Sequence, residues 1–229
     1  MNTNRPIFCG FILLLLSYNS FAQNRYQIGL LPSINLNKKL ENNWKLNFKT
    51  ESRQELKRGI FKDNSVADYN YLLTDFTLVA SRKILFNSSI AGGYLLRVED
   101  GTTAHRLIQQ FVVTRKYRAT RLAFRLSTDQ TFAAAESPEF RGRFRISVEV
   151  PLNGLSIDAR EFYFKFNNEY LNAFQGQAYD LEVRLVPVLG YEINDTFKLE
   201  TGLDYRINSF LDTPSRQRFW GVVSLYVGW

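Results

Sequence analysis

The chain carries one cysteine, one methionine and one histidine in 229 residues. So few sulfur and imidazole groups argue against a thiol or metal enzyme, and no metal or cofactor is expected. No run of ~20 apolar residues occurs, which excludes a bundle of transmembrane helices. The mean hydropathy of −0.23 agrees. No dense Lys/Arg run or recognition motif points to nucleic acid. No segment shows convincing helical periodicity. Apolar residues at 45% and charged residues at 22% exclude a disordered chain. Aromatics are what the chain has in quantity: 19 Phe, 12 Tyr and 3 Trp.

The first 22 residues read as a secretory signal peptide. Arg5 supplies the positive start, 7–16 is an apolar stretch too short to span a bilayer, and Ser20-Phe21-Ala22 offers small residues for cleavage after Ala22. Cys9 lies inside the apolar stretch behind Phe8, which does not fit a lipoprotein signal. Cleavage removes Cys9, Met1 and Arg5, so the mature chain, 23–229, has no thiol and its charge falls from +7 to +6. Disulfides and thiolate chemistry are then impossible.

Period-2 alternation recurs throughout the mature chain. In 140–150, Phe140, Phe144, Ile146, Val148 and Val150 share one face, and Arg141, Arg143, Arg145, Ser147 and Glu149 the other. A helix would scatter those arginines around its circumference, whereas a strand aligns them. Trp44, Leu46 and Phe48 oppose Lys45, Asn47, Lys49, Glu51 and Arg53; Leu122, Phe124 and Leu126 oppose Arg121, Arg125, Ser127 and Asp129. Phe162, Phe164 and Phe166 oppose Glu161, Lys165 and Glu169; Leu181, Val183 and Leu185 oppose Asp180, Glu182 and Arg184. Phe197, Leu199, Leu203 and Tyr205 oppose Lys198, Glu200, Asp204 and Arg206. Further strands are readable near 26–36, 67–82, 86–99, 104–116 and 217–229; the faces of 67–82 and 104–116 stay unassigned. Short turns near 38–43, 82–85, 117–120, 152–157 and 194–195 alternate with generally longer loops near 57–66, 100–103, 133–139, 174–178 and 211–215. That is the layout of an up-and-down meander in one domain.

A soluble sandwich also alternates, but three features favour an outer-membrane β-barrel. The segments run roughly 10–15 residues, where a tilted transmembrane strand needs ~9–11 and an ordinary strand averages ~5–6. Aromatics sit near strand ends, with Trp44, Phe86, Tyr117, Tyr191, Phe197 and Trp229 at one end and Phe61, Phe132, Phe140, Tyr179 and Phe210 at the other. The last strand alternates from Phe219 to a terminal Trp229, resembling the signal that outer-membrane proteins present to the barrel assembly machinery. The expected surroundings are outer-membrane lipid, with no nucleic-acid partner. Eleven strands can be read, but bacterial barrels have even numbers. An odd count would force a parallel closure, so an all-β, up-and-down antiparallel barrel of 10–12 strands is expected, with twelve preferred.

The Lys-Lys-Leu turn before Trp44, His105-Arg106, Gln109-Gln110, the Arg121, Arg125, Arg141, Arg143 and Arg145 set, and Phe162-Tyr163-Phe164 with Asn168-Glu169 resemble the bacterial family called domain of unknown function 2490. That resemblance implies an outer-membrane barrel and brings no activity or catalytic residues.

In such a barrel the charged face fills the lumen. The expected network comprises Arg121, Arg125, Arg141, Arg143, Arg145, Glu161, Lys165, Glu169, Glu182, Arg184, Glu200, Asp204 and Arg206. It reads as a salt-bridge network filling a structural barrel, or as a narrow pore whose arginine wall attracts anions. A lipid hydrolase is an alternative, but Ser127 is expected opposite residue ~110, about 15 Å from the single His105. No Gly-x-Ser-x-Gly elbow is present, so no catalytic residue is expected. A soluble periplasmic sandwich binding protein is the other alternative.

Overall fold

A computed structural model describes residues 25–60, 67–134, 136–212 and 214–229. The leader, 1–22, and Phe61 lie outside them. Eleven strands are present among the described residues, and no helix: β1 (Arg25–Lys39), β2 (Trp44–Ile60), β3 (Ala67–Leu85), β4 (Ser88–Glu99), β5 (Thr102–Tyr117), β6 (Thr120–Ala133), β7 (Glu139–Pro151), β8 (Glu161–Gln175), β9 (Ala178–Glu192), β10 (Phe197–Asn208) and β11 (Arg216–Gly228). The shortest has 12 residues and the longest 19. Each pairs antiparallel with its sequence neighbours, and the sheet closes on itself.

The closure corrects the expected strand parity. β1 and β11 pair in parallel, in unbroken register from Arg25↔Arg216 to Asn37↔Gly228. An eleven-strand meander leaves its first and last strands pointing the same way. A parallel ladder pairs backbone donors and acceptors as an antiparallel one does, at slightly lower stability per residue. Evenness is therefore a habit of bacterial barrels, not a condition for closure. The seam is reinforced at several points. Trp229 N donates to Asn37 O and Lys39 N to Trp229 O, both at 3.0 Å. Inside, Ser33 Oγ and Ser224 Oγ lie 2.8 Å apart. Trp220 fills the lumen side of the seam because Gly29 has no side chain; a Cβ there would lie 2.4 Å from Trp220 Cζ3.

Loop length does not separate the two ends as the sequence suggested. On the expected long-loop side, β4 and β5 join through Asp100 and Gly101 alone, at φ 31° and 78°, a pair suited to a tight hairpin. On the other side, 152–160 makes a long connection between β7 and β8.

The barrel is turned inside out relative to a soluble protein. Ile34, Phe48, Leu78, Phe111, Leu126, Phe144, Phe164, Leu199 and Val223 are exposed on the outer face. Buried inside are Asp75, Arg106, Asp129, Glu169, Glu182, Glu200, Asp204 and Arg206. The two strands whose faces sequence left open are now placed. Asp75, Thr77 and Val79 of β3, and Arg106, Ile108 and Gln110 of β5, line the lumen; Phe76, Leu78, Leu107 and Phe111 are exposed outside.

Candidate functional site

The arginine ladder of β7 points inward, where each rung meets a carboxylate from a neighbouring strand. Asp129 of β6 accepts from Arg141 Nε at 2.5 Å and from Arg143 Nη2, with Arg106 Nε at 3.6 Å. Glu169 of β8 takes Arg145 Nε at 2.7 Å, Arg125 Nη2 at 3.2 Å and Arg184 Nη1 at 3.3 Å. Two carboxylates thus serve six guanidiniums. Both carboxylates are almost wholly enclosed, Asp129 at 0% and Glu169 at 1% exposure. Hydrogen bonding is incomplete on both sides: Arg125 Nε, Arg141 Nη2 and Arg143 Nε have no acceptor among the described residues, and Glu169 Oε1 has no donor, its contact with Arg184 Nη1 being an ion pair only.

The pairing register extends this wall around the barrel. Arg125↔Arg145↔Glu169↔Arg184↔Arg206↔Arg218 is one row across β6 to β11. Along it Arg184 also pairs with Glu182, and Arg206 forks onto Asp204 at 3.0 and 2.7 Å. Arg97 forks onto Asp75 across β3 and β4, both bonds at 2.8 Å. Toward the end where β11 finishes, Glu200 collects Lys165 Nζ, Tyr163 Oη at 2.7 Å and Tyr226 Oη at 3.1 Å. Tyr163 lies over Gly190, where a Cβ would come within 2.1 Å of its ring.

A void of about 750 Å³ follows the lumen. Asn37, Lys45, Ser89 and Tyr226 border it toward the β11 terminus, and Glu139, Ala173, Asp180 and Arg218 toward the opposite end. Thirteen cationic side chains border it against seven carboxylates; with Asp129 and Glu169 behind the wall the carboxylates number nine, an excess of four positive charges.

A model of a family described as protein of unknown function, DUF2490, matches residues 28–219. The chain belongs to this family. No curated protein and no solved structure matches it. Most of the charged residues expected in the lumen of this DUF2490 protein are gathered by the fold: Arg125, Arg141, Arg143, Arg145, Lys165, Glu169, Glu182, Arg184, Glu200, Asp204 and Arg206 all join the contacts above. Two do not. Arg121 pairs with Glu149 at 3.3 Å at the solvent-exposed rim. Glu161 accepts from Asn153 Nδ2 at 3.0 Å and Asp158 N at 3.2 Å in the 152–160 connection.

Sequence reasoning missed Asp75, Arg97, Arg106 and Arg218 as members of this site, and it put Arg53 and Asp129 on the charged face without placing them in the network. Arg218 continues the alternation of the last strand. It could have been found by extending the cross-strand register one strand further.

Ser127 lies directly opposite Gln110, on the lumen side, and is buried. His105 is five residues from Gln110 and faces outward, where Tyr94 Oη lies 2.5 Å from its Nδ1. The wall of the DUF2490 barrel therefore separates the two side chains. His105 belongs to the outer surface.

Proposed function

We propose that this protein is an outer-membrane β-barrel whose lumen forms a narrow, anion-preferring pore. The observation that carries the pore is the void itself, which touches residues near both ends of the strands and is bordered by more cations than carboxylates. Eleven strands also fall in a suitable range. Eight leave an interior that side chains just fill, and sixteen to eighteen leave a wide aqueous channel.

The membrane setting rests on the outer face. Soluble monomers rarely expose a contiguous apolar patch larger than a few hundred Å². Here exposed aliphatic and aromatic side chains occur on every strand of the barrel. Trp44, Phe86, Tyr117, Phe197 and Trp229 are exposed toward one end, with Phe132, Phe140 and Tyr179 toward the other, as two interfacial girdles would be. Full closure leaves no edge to be satisfied inside a bilayer. Export on the N-terminal signal and delivery through the C-terminal strand belong to the same reading.

The pore is tested by reconstituting the protein in planar bilayers under a salt gradient. Stepwise conductance with a reversal potential on the anion side is expected. Arg53→Glu is a cleaner charge reversal than one within the β7 ladder. Arg53 makes no ion pair among the described residues, so its loss abandons no buried carboxylate, whereas Arg143 holds Asp129. A reversal potential that ignores Arg53→Glu would reject the lumen as the conducting path.

A further inference from the structure

Arg53 and Arg218 differ from the other lumenal arginines in having no ion pair among the described residues, and of the two only Arg53 is set against a ring. Arg206 and Arg97, the cations acting on Arg53 most strongly, each fork onto an aspartate of their own. Arg53 has no carboxylate within ion-pairing distance among the described residues, and its Nε has no acceptor. Its guanidinium instead lies over the ring of Trp220, 5.5 Å from the centroid. The Trp220 indole N–H also has no acceptor. A cation half-buried at the edge of a narrow void without a counter-charge is a ready partner for an anion. Beyond Arg206 the pairing row continues to Arg184 and, past Glu169, to Arg145. Asp204, which holds Arg206, is the cross-strand partner of Trp220, the ring beneath Arg53, and this ties Arg53 to the row.

We infer that Arg53, Arg206, Arg184 and Arg145 form a lumenal binding site for a multivalent oxyanion of the phosphate class, either a free phosphate or a phosphate monoester. The guanidinium fork of Arg53 matches phosphate oxygens, and the donors that Arg206, Arg184 and Arg145 do not spend on Asp204, Glu182 and Glu169 belong to other strands, a set that suits a tetrahedral group with three free oxygens better than a planar carboxylate. The lumenal excess of four positive charges calls for more than one negative charge. The void has the volume of an ordinary small-molecule site. The inference rests on the pore reading only in requiring that solutes reach the lumen; it does not require flux.

Titration calorimetry of the full-length protein in detergent tests it, with pyrophosphate and inorganic phosphate as free ions, glycerol phosphate as the ester, and succinate and chloride as comparators. Saturable binding of at least one phosphate compound is expected, about tenfold or more tighter than succinate. Tighter binding of glycerol phosphate would assign the ester, and tighter binding of pyrophosphate or phosphate the free ion. Losing one charge-assisted contact costs ~1.5–3 kcal/mol, so Arg53→Gln should weaken binding by about 10- to 100-fold. Arg53→Lys should retain part of the affinity and Arg121→Gln all of it, with closure of each variant checked by heat-modifiable gel mobility. Absence of saturable binding by the closed barrel, or equal affinity in the wild type and Arg53→Gln, would overturn the site. Binding without conductance supports the site and contradicts the pore; conductance without binding overturns the site and leaves the pore standing.

Discussion

The two walls of the lumen solve the burial of arginine differently. From β5 to β9, six guanidiniums crowd around two enclosed carboxylates, Asp129 and Glu169. From β11 through β1 to β2, Arg218 and Arg53 border the void with no ion-pair partner among the described residues. That second wall is held by the parallel ladder, the Ser33–Ser224 contact and Trp220 packed on Gly29. Charge on the first wall is held mainly by the scaffold, although Arg145 and Arg184 also border the void. On the second wall Lys49 is tied to Glu51, while Arg53 and Arg218 are left to meet a solute. A side chain's value to stability and its value to function are therefore set by where its counter-charge lies, not by residue type.

The comparison breaks most readily at Asp129. Asp129→Ala leaves Arg141, Arg143 and Arg106 without their shared acceptor. Loss of one partner from a buried pair costs ~3–5 kcal/mol. A denaturant midpoint within error of the wild type would show that the first wall is not scaffold. Next comes Gly29→Ala, whose Cβ would lie 2.3 Å from Gln54 O as well as against Trp220. Overpacking of this kind costs ~1–3 kcal/mol. Loss of heat-modifiable mobility at lower temperature is expected, because the seam closes the barrel. Ser33→Ala removes the buried bond to Ser224 Oγ at the same seam and the longer one that Ser33 Oγ accepts from Asn35 Nδ2 at 3.4 Å, for ~0.5–1.5 kcal/mol from the shorter of the two by the same denaturant titration. Arg121→Gln should stay within ~0.5 kcal/mol, since its pair with Glu149 is exposed. It sharpens the contrast by showing that arginine loss alone is harmless.

Much of this fold was legible before any coordinates. Along β7 to β10 the alternation is clean because the lumen there takes charges and the outer face takes Phe, Leu and Val, so faces and neighbours could be read directly. On β3 and β5 it blurs for a physical reason. Val79 of β3 and Ile108 and Val112 of β5 face the lumen, while the polar Gln109 of β5 bonds to Thr128 and Gln130 of β6 on the exposed outer face. Hydropathy then no longer reports which way a side chain points, and Asp75, Arg97 and Arg106 escaped notice. Eleven strands are legible in the alternation, and the even number usual in bacterial barrels, which points to twelve, is a statistical habit that this closure does not obey. The sharing of Asp129 and Glu169 depends on register across several strands, which one strand's pattern cannot carry. The solitude of Arg53 is a fact about its neighbours and is invisible in its own sequence context.

The central claim, an inside-out barrel with a cation-rich lumen that admits anions, is tested most directly by the reversal potential of the reconstituted wild-type protein under a salt gradient. The account predicts discrete conductance steps and a reversal potential displaced toward the anion equilibrium value. A barrel that is closed by gel mobility and inserted in the bilayer, yet silent or cation-selective, would contradict it.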